Sequence, residues 1–191
     1  MATTTTIQRS SEGWQKRTRL DFNDLLTTAD AISAVTGKPS AMEIVHGYWR
    51  SRARGGVVRV EDFDPHRDLG ELGVTISHVD VGADNPWHYR FTSFKGVYFR
   101  WMTGRCLADY PVKGVVDECA VEYFECKSAG GPVAHHIQHN FGGFSRDYLR
   151  LLLPLAGSSG LPAALVSVGL HLALLGRGGS SIAIPPGSTK P

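Results

Sequence analysis

The chain has 191 residues, 42% of them hydrophobic and 20% charged, with a formal net charge of +2. That length buries one core of ordinary size and leaves two full domains cramped. The near-neutral balance gives no strong field and argues against a nucleic-acid or anionic-membrane partner. Cys106, Cys119 and Cys126 are odd in number without CxxC spacing, which argues against a disulfide framework or structural zinc and suits a reducing cytoplasm.

Residues 1–19 carry Thr, Ser and charge with one Trp, lack a repeating apolar face, and are expected to be a disordered tail. They have no apolar core region of the kind a secretory signal needs. From Phe22, the apolar residues Leu25, Leu26, Ala29 and Ile32 recur at helical spacing, and Gly37 with Pro39 supplies a stop. Ser40 and Glu43 form a capping-box signature for a second helix, whose stripe is Val45, Tyr48 and Trp49 and which ends near Arg54-Gly55-Gly56. The cations Arg50, Arg52, Arg54 and Arg59 could form a phosphate-facing patch, but at the end of a helix they also complement its dipole, and a solvated charged face is the favoured reading.

Residues 57–73 read as a connector with an Asp64-Pro65 turn and one helical turn over 68–72. Val74–Val81 is β-rich, Gly82 to Pro86 is strong turn chemistry, and 88–94 supplies the antiparallel partner strand. Strand alternation there puts Tyr89, Phe91 and Ser93 on one face and Arg90, Thr92 and Phe94 on the other. Tyr98, Phe99, Trp101 and Met102 then form an aromatic-rich turn that needs a surface to pack on. Val112, Val115, Val116, Cys119, Ala120 and Tyr123 follow a helix face, so 112–127 is a helix ended by Gly130-Gly131-Pro132.

Three strands follow, at 133–139, 148–155 and 163–170, with Gly-rich turns at 142–143 and 157–160. The apolar run from Leu161 to Leu175 is shorter than the roughly 20 residues that span a bilayer, so no transmembrane segment is expected. This order implies an α+β domain, an antiparallel sheet with helices on one face. The expected boundaries are a tail at 1–19, a helical extension at 20–56, the sheet domain at 57–175 and a disordered Gly/Pro/Ser tail at 176–191.

With that order in hand, the chain resembles a PAS domain, and more closely the single-PAS proteins common in alphaproteobacteria. The matching pieces are Tyr48-Trp49, Asp62 to Pro65, Tyr89-Arg90-Phe91, Gly96, Thr103-Gly104-Arg105, Gly130 to Val133, and Leu151 to Leu155. They span residues 42 to about 170. The resemblance implies a PAS-like five-stranded antiparallel sheet in the spatial order 2-1-5-4-3, with helices on one face, preceded here by N-terminal helices. It implies a sensory or protein-interaction module and brings no catalytic residues. It departs at Ser93-Phe94-Lys95-Gly96, where the family shows a Gly-Thr pair, and has no counterpart for His171 to Leu175.

His135-His136-Ile137-Gln138-His139 is the cluster that most invites chemistry. On a strand, His135 and His139 share a face but stand roughly 13 Å apart, too far to chelate one ion together. One of them alone could ligate a haem iron, and a small haem- or metal-dependent enzyme using His135 or His139 is the alternative function. No HExxH, G-x-S-x-G or phosphate loop is present. Cys119 and Cys126 read as core residues, Cys106 as a thiol beside Arg105. The acid pairs Asp62/Asp64 and Asp117/Glu118 look peripheral.

A ligand, if bound, is expected between the helical insert and the sheet, with Tyr98, Trp101, Cys119, Tyr123 and His135 as lining. The chain is thus expected to be a non-enzymatic cytoplasmic sensor acting through a protein partner or a homodimer built on its N-terminal helices. A small-molecule ligand belongs to that expectation, without nucleic acid or membrane.

Overall fold

The computed structural model describes residues 4–10, 13–36, 40–53, 56–69, 72–95, 100–141 and 144–172. Seven strands form one antiparallel sheet: β1 (Thr5–Ser10), β2 (Gly13–Leu20), β3 (Thr75–Asp80), β4 (Arg90–Lys95), β5 (Val133–Phe141), β6 (Phe144–Ala156) and β7 (Pro162–His171). Their spatial order is β1-β2-β5-β6-β7-β3-β4. Counted alone, β3 to β7 as strands 1 to 5 run 2-1-5-4-3.

The central strand, β6, explains the layering. Its run Leu149 to Leu155 is apolar at almost every position, as a strand covered on both faces must be. Leu149, Leu151, Leu153 and Leu155 join one core with Leu25 and Ala29 of α1 (Phe22–Thr36) and Met42 and Val45 of α2 (Ala41–Arg52). Leu152 joins a second core on the opposite face, under α4 (Lys113–Ala129), with Val116, Ala120 and Tyr123. Ser40 caps α2, its hydroxyl accepting from Glu43 N at 3.4 Å. A short helix, α3 (Pro65–Asp68), is capped in the same way by Asp64. Gly130 closes α4 in the left-handed region at φ 62°, which favours a residue without Cβ.

Three expectations are corrected. The segment 1–19 is not a disordered tail over its described part: β1 and β2 form a hairpin, and β2 extends the sheet along β5, with Arg17 opposite Ile137. Five strands therefore become seven, and the described chain begins with strands rather than helices. Helices also cover both faces of the sheet, because the stripes of α1 and α2 pack on the side away from α4. Trp49 belongs to that packing, its Nε1–H donating to Pro154 O at 3.1 Å.

A smaller correction bears on the site. Thr92 is the extra residue of a β-bulge, since Ser93 pairs with His78 and Phe91 with Val79. A bulge shifts the alternation by one, so Phe91 and Phe94 come to one side with ring centroids 4.9 Å apart. The helical turn expected at 68–72 lies at Pro65–Asp68, where Pro sits in the first turn. The expected stop at Gly37 and Pro39, Tyr98 and Phe99, the turn at 142–143 and the tail at 176–191 lie outside the described residues.

Candidate functional site

Under α4 the sheet does not close completely. A cavity of about 90 Å³ lies between its α4-facing side and the segment that carries the 3-10 turns Arg100–Met102 and Leu107–Asp109 and then α4. A single water needs only about 10–15 Å³ measured this way, so the space admits several waters or one small molecule. Phe91, Phe94, Met102, Leu107 and Val115 give it an apolar wall. The strands give it a polar floor: Ser77 of β3, His139 of β5, Arg146, Tyr148 and Arg150 of β6, and Ser167 and His171 of β7.

Strand alternation builds that floor. Positions 146, 148 and 150 of β6 face α4, as do 167, 169 and 171 of β7, and the ladder places Tyr148 opposite His171 and Arg146 opposite His139. The His139 and Tyr148 rings lie 6.0 Å apart edge to face, and the Tyr148 and His171 rings 5.5 Å apart.

Arg150 is the hub. Its guanidinium donates to Glu122 Oε2 at 2.5 Å, to the Tyr148 hydroxyl at 2.8 Å and to Cys119 Sγ at 3.2 Å. It also sits over the Tyr148 and Tyr123 rings, at 5.3 and 5.8 Å from their centroids, within cation–π range. Burial opposes its charge, and Cys119, Glu122, Tyr148 and Tyr123 around it hold its pKa well above the ordinary value. Glu122, fully buried, is also 3.8 Å from Arg17 of β2, which in turn lies 3.6 Å from Glu118. Arg19 donates to Glu125. Glu118, Glu122 and Glu125 recur at i, i+4, i+7 and form an acidic row on α4 facing the basic side of β2.

Burial shapes the ionisation of the floor. His139 is pushed down to about 3 and His171 to about 4, by burial first and then by Arg146 and Arg150. Both are neutral imidazoles at pH 7. Burial likewise raises the Tyr123 and Tyr148 hydroxyls and the Cys119 thiol, so these stay protonated. A thiol held protonated is a poor nucleophile. Cys126, pushed up to about 12 chiefly by burial, is also a core group.

Of the five residues expected at the site, Cys119 and Tyr123 line the cavity. Trp101 stacks on the lining residue Tyr110 at 5.9 Å, one layer out. His135 is buried on the same side of the sheet but pairs with Glu125 at 3.6 Å rather than lining the space. Tyr98 lies outside the described residues. Sequence reasoning missed Arg146, Arg150, Ser77, Ser167 and His171. Among the described residues, no group of three or more His, Cys, Asp or Glu side chains is arranged to hold a metal ion.

Comparison with protein-family models, curated proteins and solved structures finds no match to this chain. No helix among the described residues is long and apolar enough to cross a membrane.

Proposed function

We propose that the chain is a PAS-like sensory module, cytoplasmic and not an enzyme, that binds a small molecule and passes its state to a protein partner or a second copy. The observation that carries this reading is the cavity: an apolar wall and a polar floor meet between sheet and helix, the arrangement of a small-ligand site. The 2-1-5-4-3 order of β3 to β7 supports the PAS-like assignment.

The helix α4 joins the cavity to the surface. Cys119 and Tyr123 lie on its inner side, while Val121 and Phe124 are about half exposed on its outer side. A ligand that binds two positions of α4 with different affinity shifts their populations by that difference. Among the described lining residues the Cys119 thiol and the Tyr123 and Tyr148 hydroxyls are held protonated and no carboxylate is present, which supports binding over nucleophilic turnover.

A native mass spectrum of freshly purified protein, taken with its absorption spectrum, tests the reading. Extra mass that leaves on denaturation is the expected result. Apoprotein mass, together with a melting temperature that no small-molecule panel raises, would sink it, since any ligand of the native state alone must stabilise that state. A Soret band would instead move the assignment to haem chemistry, with His139 as the first residue to mutate.

A further inference from the structure

Part of the cavity floor is a block of four small residues. In the ladder Thr75 of β3 stands opposite Gly169 of β7, and Ser77 stands opposite Ser167. All four line the cavity, which is open over them because nothing long rises from the block.

Ser77 is the member that asks for a partner. It is 3% exposed, and among the described residues its hydroxyl has no hydrogen-bond partner. Ser167 beside it meets the Tyr123 hydroxyl. A buried hydroxyl left unpaired costs free energy, which a water or a ligand recovers. Water suits the opposite wall poorly. The space of about 90 Å³ corresponds to about three waters at roughly 30 Å³ each, and each buried water needs about two to four polar partners. The side chains of Phe91, Met102 and Leu107 offer none, and Phe94 stands opposite Ser77 on β4. A molecule with a carbon body covers that wall and still reaches the hydroxyl.

The charge nearest the block is already balanced. Arg150 lies opposite Gly169 and is paired with the buried Glu122. Arg146 belongs to the far end of β6, six residues from Leu152, which continues the row of Ser77 and Ser167. That is about 20 Å at roughly 3.3 Å per residue, more than a ligand of this size spans. A charged end placed over Gly169 would give up its hydration for a cation that already has its anion.

Building on the sensory reading of this cavity, we propose that its ligand is a small uncharged organic molecule with one hydrogen-bonding oxygen, a short-chain alcohol or ketone in chemical class. It sits over Gly169 with its oxygen on the Ser77 hydroxyl and its carbon body against Phe91, Met102 and Leu107.

The test is a titration of the purified full chain with 2-butanone, 2-butanol, butyrate and butylammonium, read from its backbone amide resonances. The two uncharged probes are expected to give saturable shifts centred on residues 75–77 and 167–169, and the two charged ones to give none there. Ser77→Ala should weaken the uncharged probes by about fivefold, one hydrogen bond's worth, with an unchanged circular dichroism spectrum. Gly169→Val tests the space separately. Its new Cβ would sit 3.9 Å from Thr75 Cβ, an ordinary contact, and its methyl groups would fill the cavity with Ser77 still in place. That variant should lose the saturable response and keep its fold.

Butyrate or butylammonium binding as tightly as the uncharged probes would overturn the uncharged assignment and leave the sensory reading standing. Full affinity in Ser77→Ala would overturn the anchor, and full affinity in Gly169→Val the seat. Binding of neither uncharged probe would overturn the inference as a whole, and the sensory reading would then be decided by the native mass spectrum alone.

Discussion

Arg150 in the middle of β6 donates to Glu122 of α4 at 2.5 Å, and the pair fastens the helix to the sheet beside the cavity. Both side chains are withdrawn from water, Glu122 completely and Arg150 to 11% exposure. Breaking such a pair from one side leaves a buried charge alone, so Glu122→Ala should cost about 3–5 kcal/mol in urea unfolding. Replacing both partners by apolar residues removes both desolvation penalties. The double variant Glu122→Leu/Arg150→Met should therefore recover most of that loss. A double variant no more stable than Glu122→Ala would mean that shape, not charge, dominates here.

The N-terminal hairpin gives a second prediction. Arg17 and Arg19 meet the acidic row of α4, and β2 covers the edge of β5 from Ala134 to Phe141. A disordered tail would be dispensable. Removal of residues 1–20 is instead expected to lower the melting temperature and promote aggregation, because it strips Arg17 from the buried Glu122 and the largely buried Glu118, strips Arg19 from the part-exposed Glu125, and bares a strand edge. Arg17→Gln alone should cost about 1–2 kcal/mol, as a pair part-way between surface and core. An unchanged melting curve after the truncation would refute the structural role of the hairpin.

These two features mark where the sequence was legible. The strands β3 to β7 announced themselves because their cores are apolar and their turns use Gly, Pro and Asn. In β2 the face toward α4 carries Gln15, Arg17 and Arg19, so burial there is bought with ion pairs, and no apolar period exists to read. The one signal was distant: basic residues at i, i+2 on one segment and acids at i, i+4, i+7 on another. The cavity was half legible for the same reason. Cys119 and Tyr123 lie on a helix face that periodicity defines, whereas Arg150 interrupts the apolar run of its strand and Arg146 precedes the strand expected at 148–155. The bulge at Thr92, which brings Phe94 beside Phe91, leaves no mark in the pattern at all.

Trp49 separates two views of the first helices. An apolar stripe on α1 and α2 suggested a self-association surface, and the sheet covers that stripe within the chain. Trp49 packs against this core and its indole N–H donates to Pro154 O. Trp49→Ala should therefore cost about 2–4 kcal/mol, somewhat under a fully buried Trp truncation, and leave the oligomeric state unchanged by light scattering. A shift in oligomeric state at unchanged stability would return the residue to an interface between copies.

The histidines set the last expectation, a dependence of stability on pH. Burial first, with neighbouring cations or another histidine second, lowers His46, His78 and His171 from the ordinary 6.5 to about 4 and His139 to about 3. His66 is lowered in the same direction, again chiefly by burial. The unfolded chain takes up these protons as the pH falls through about 6.5, while the folded chain refuses them until its lowered values are reached. Stability is thus present in full above about pH 6.5, falls as the pH is lowered, and stops falling on this account below pH 3 to 4. Glu118, raised mainly by burial, works the other way by losing stability as the pH rises past its ordinary range. Each histidine contributes a slope of up to about 1.4 kcal/mol per pH unit, so several together outweigh one carboxyl. Urea unfolding at pH 7.5, 6 and 5 should show a steep decline, and His139→Gln should flatten it by about one proton's worth. Equal stability at all three values would show that these imidazoles are not held neutral by the fold.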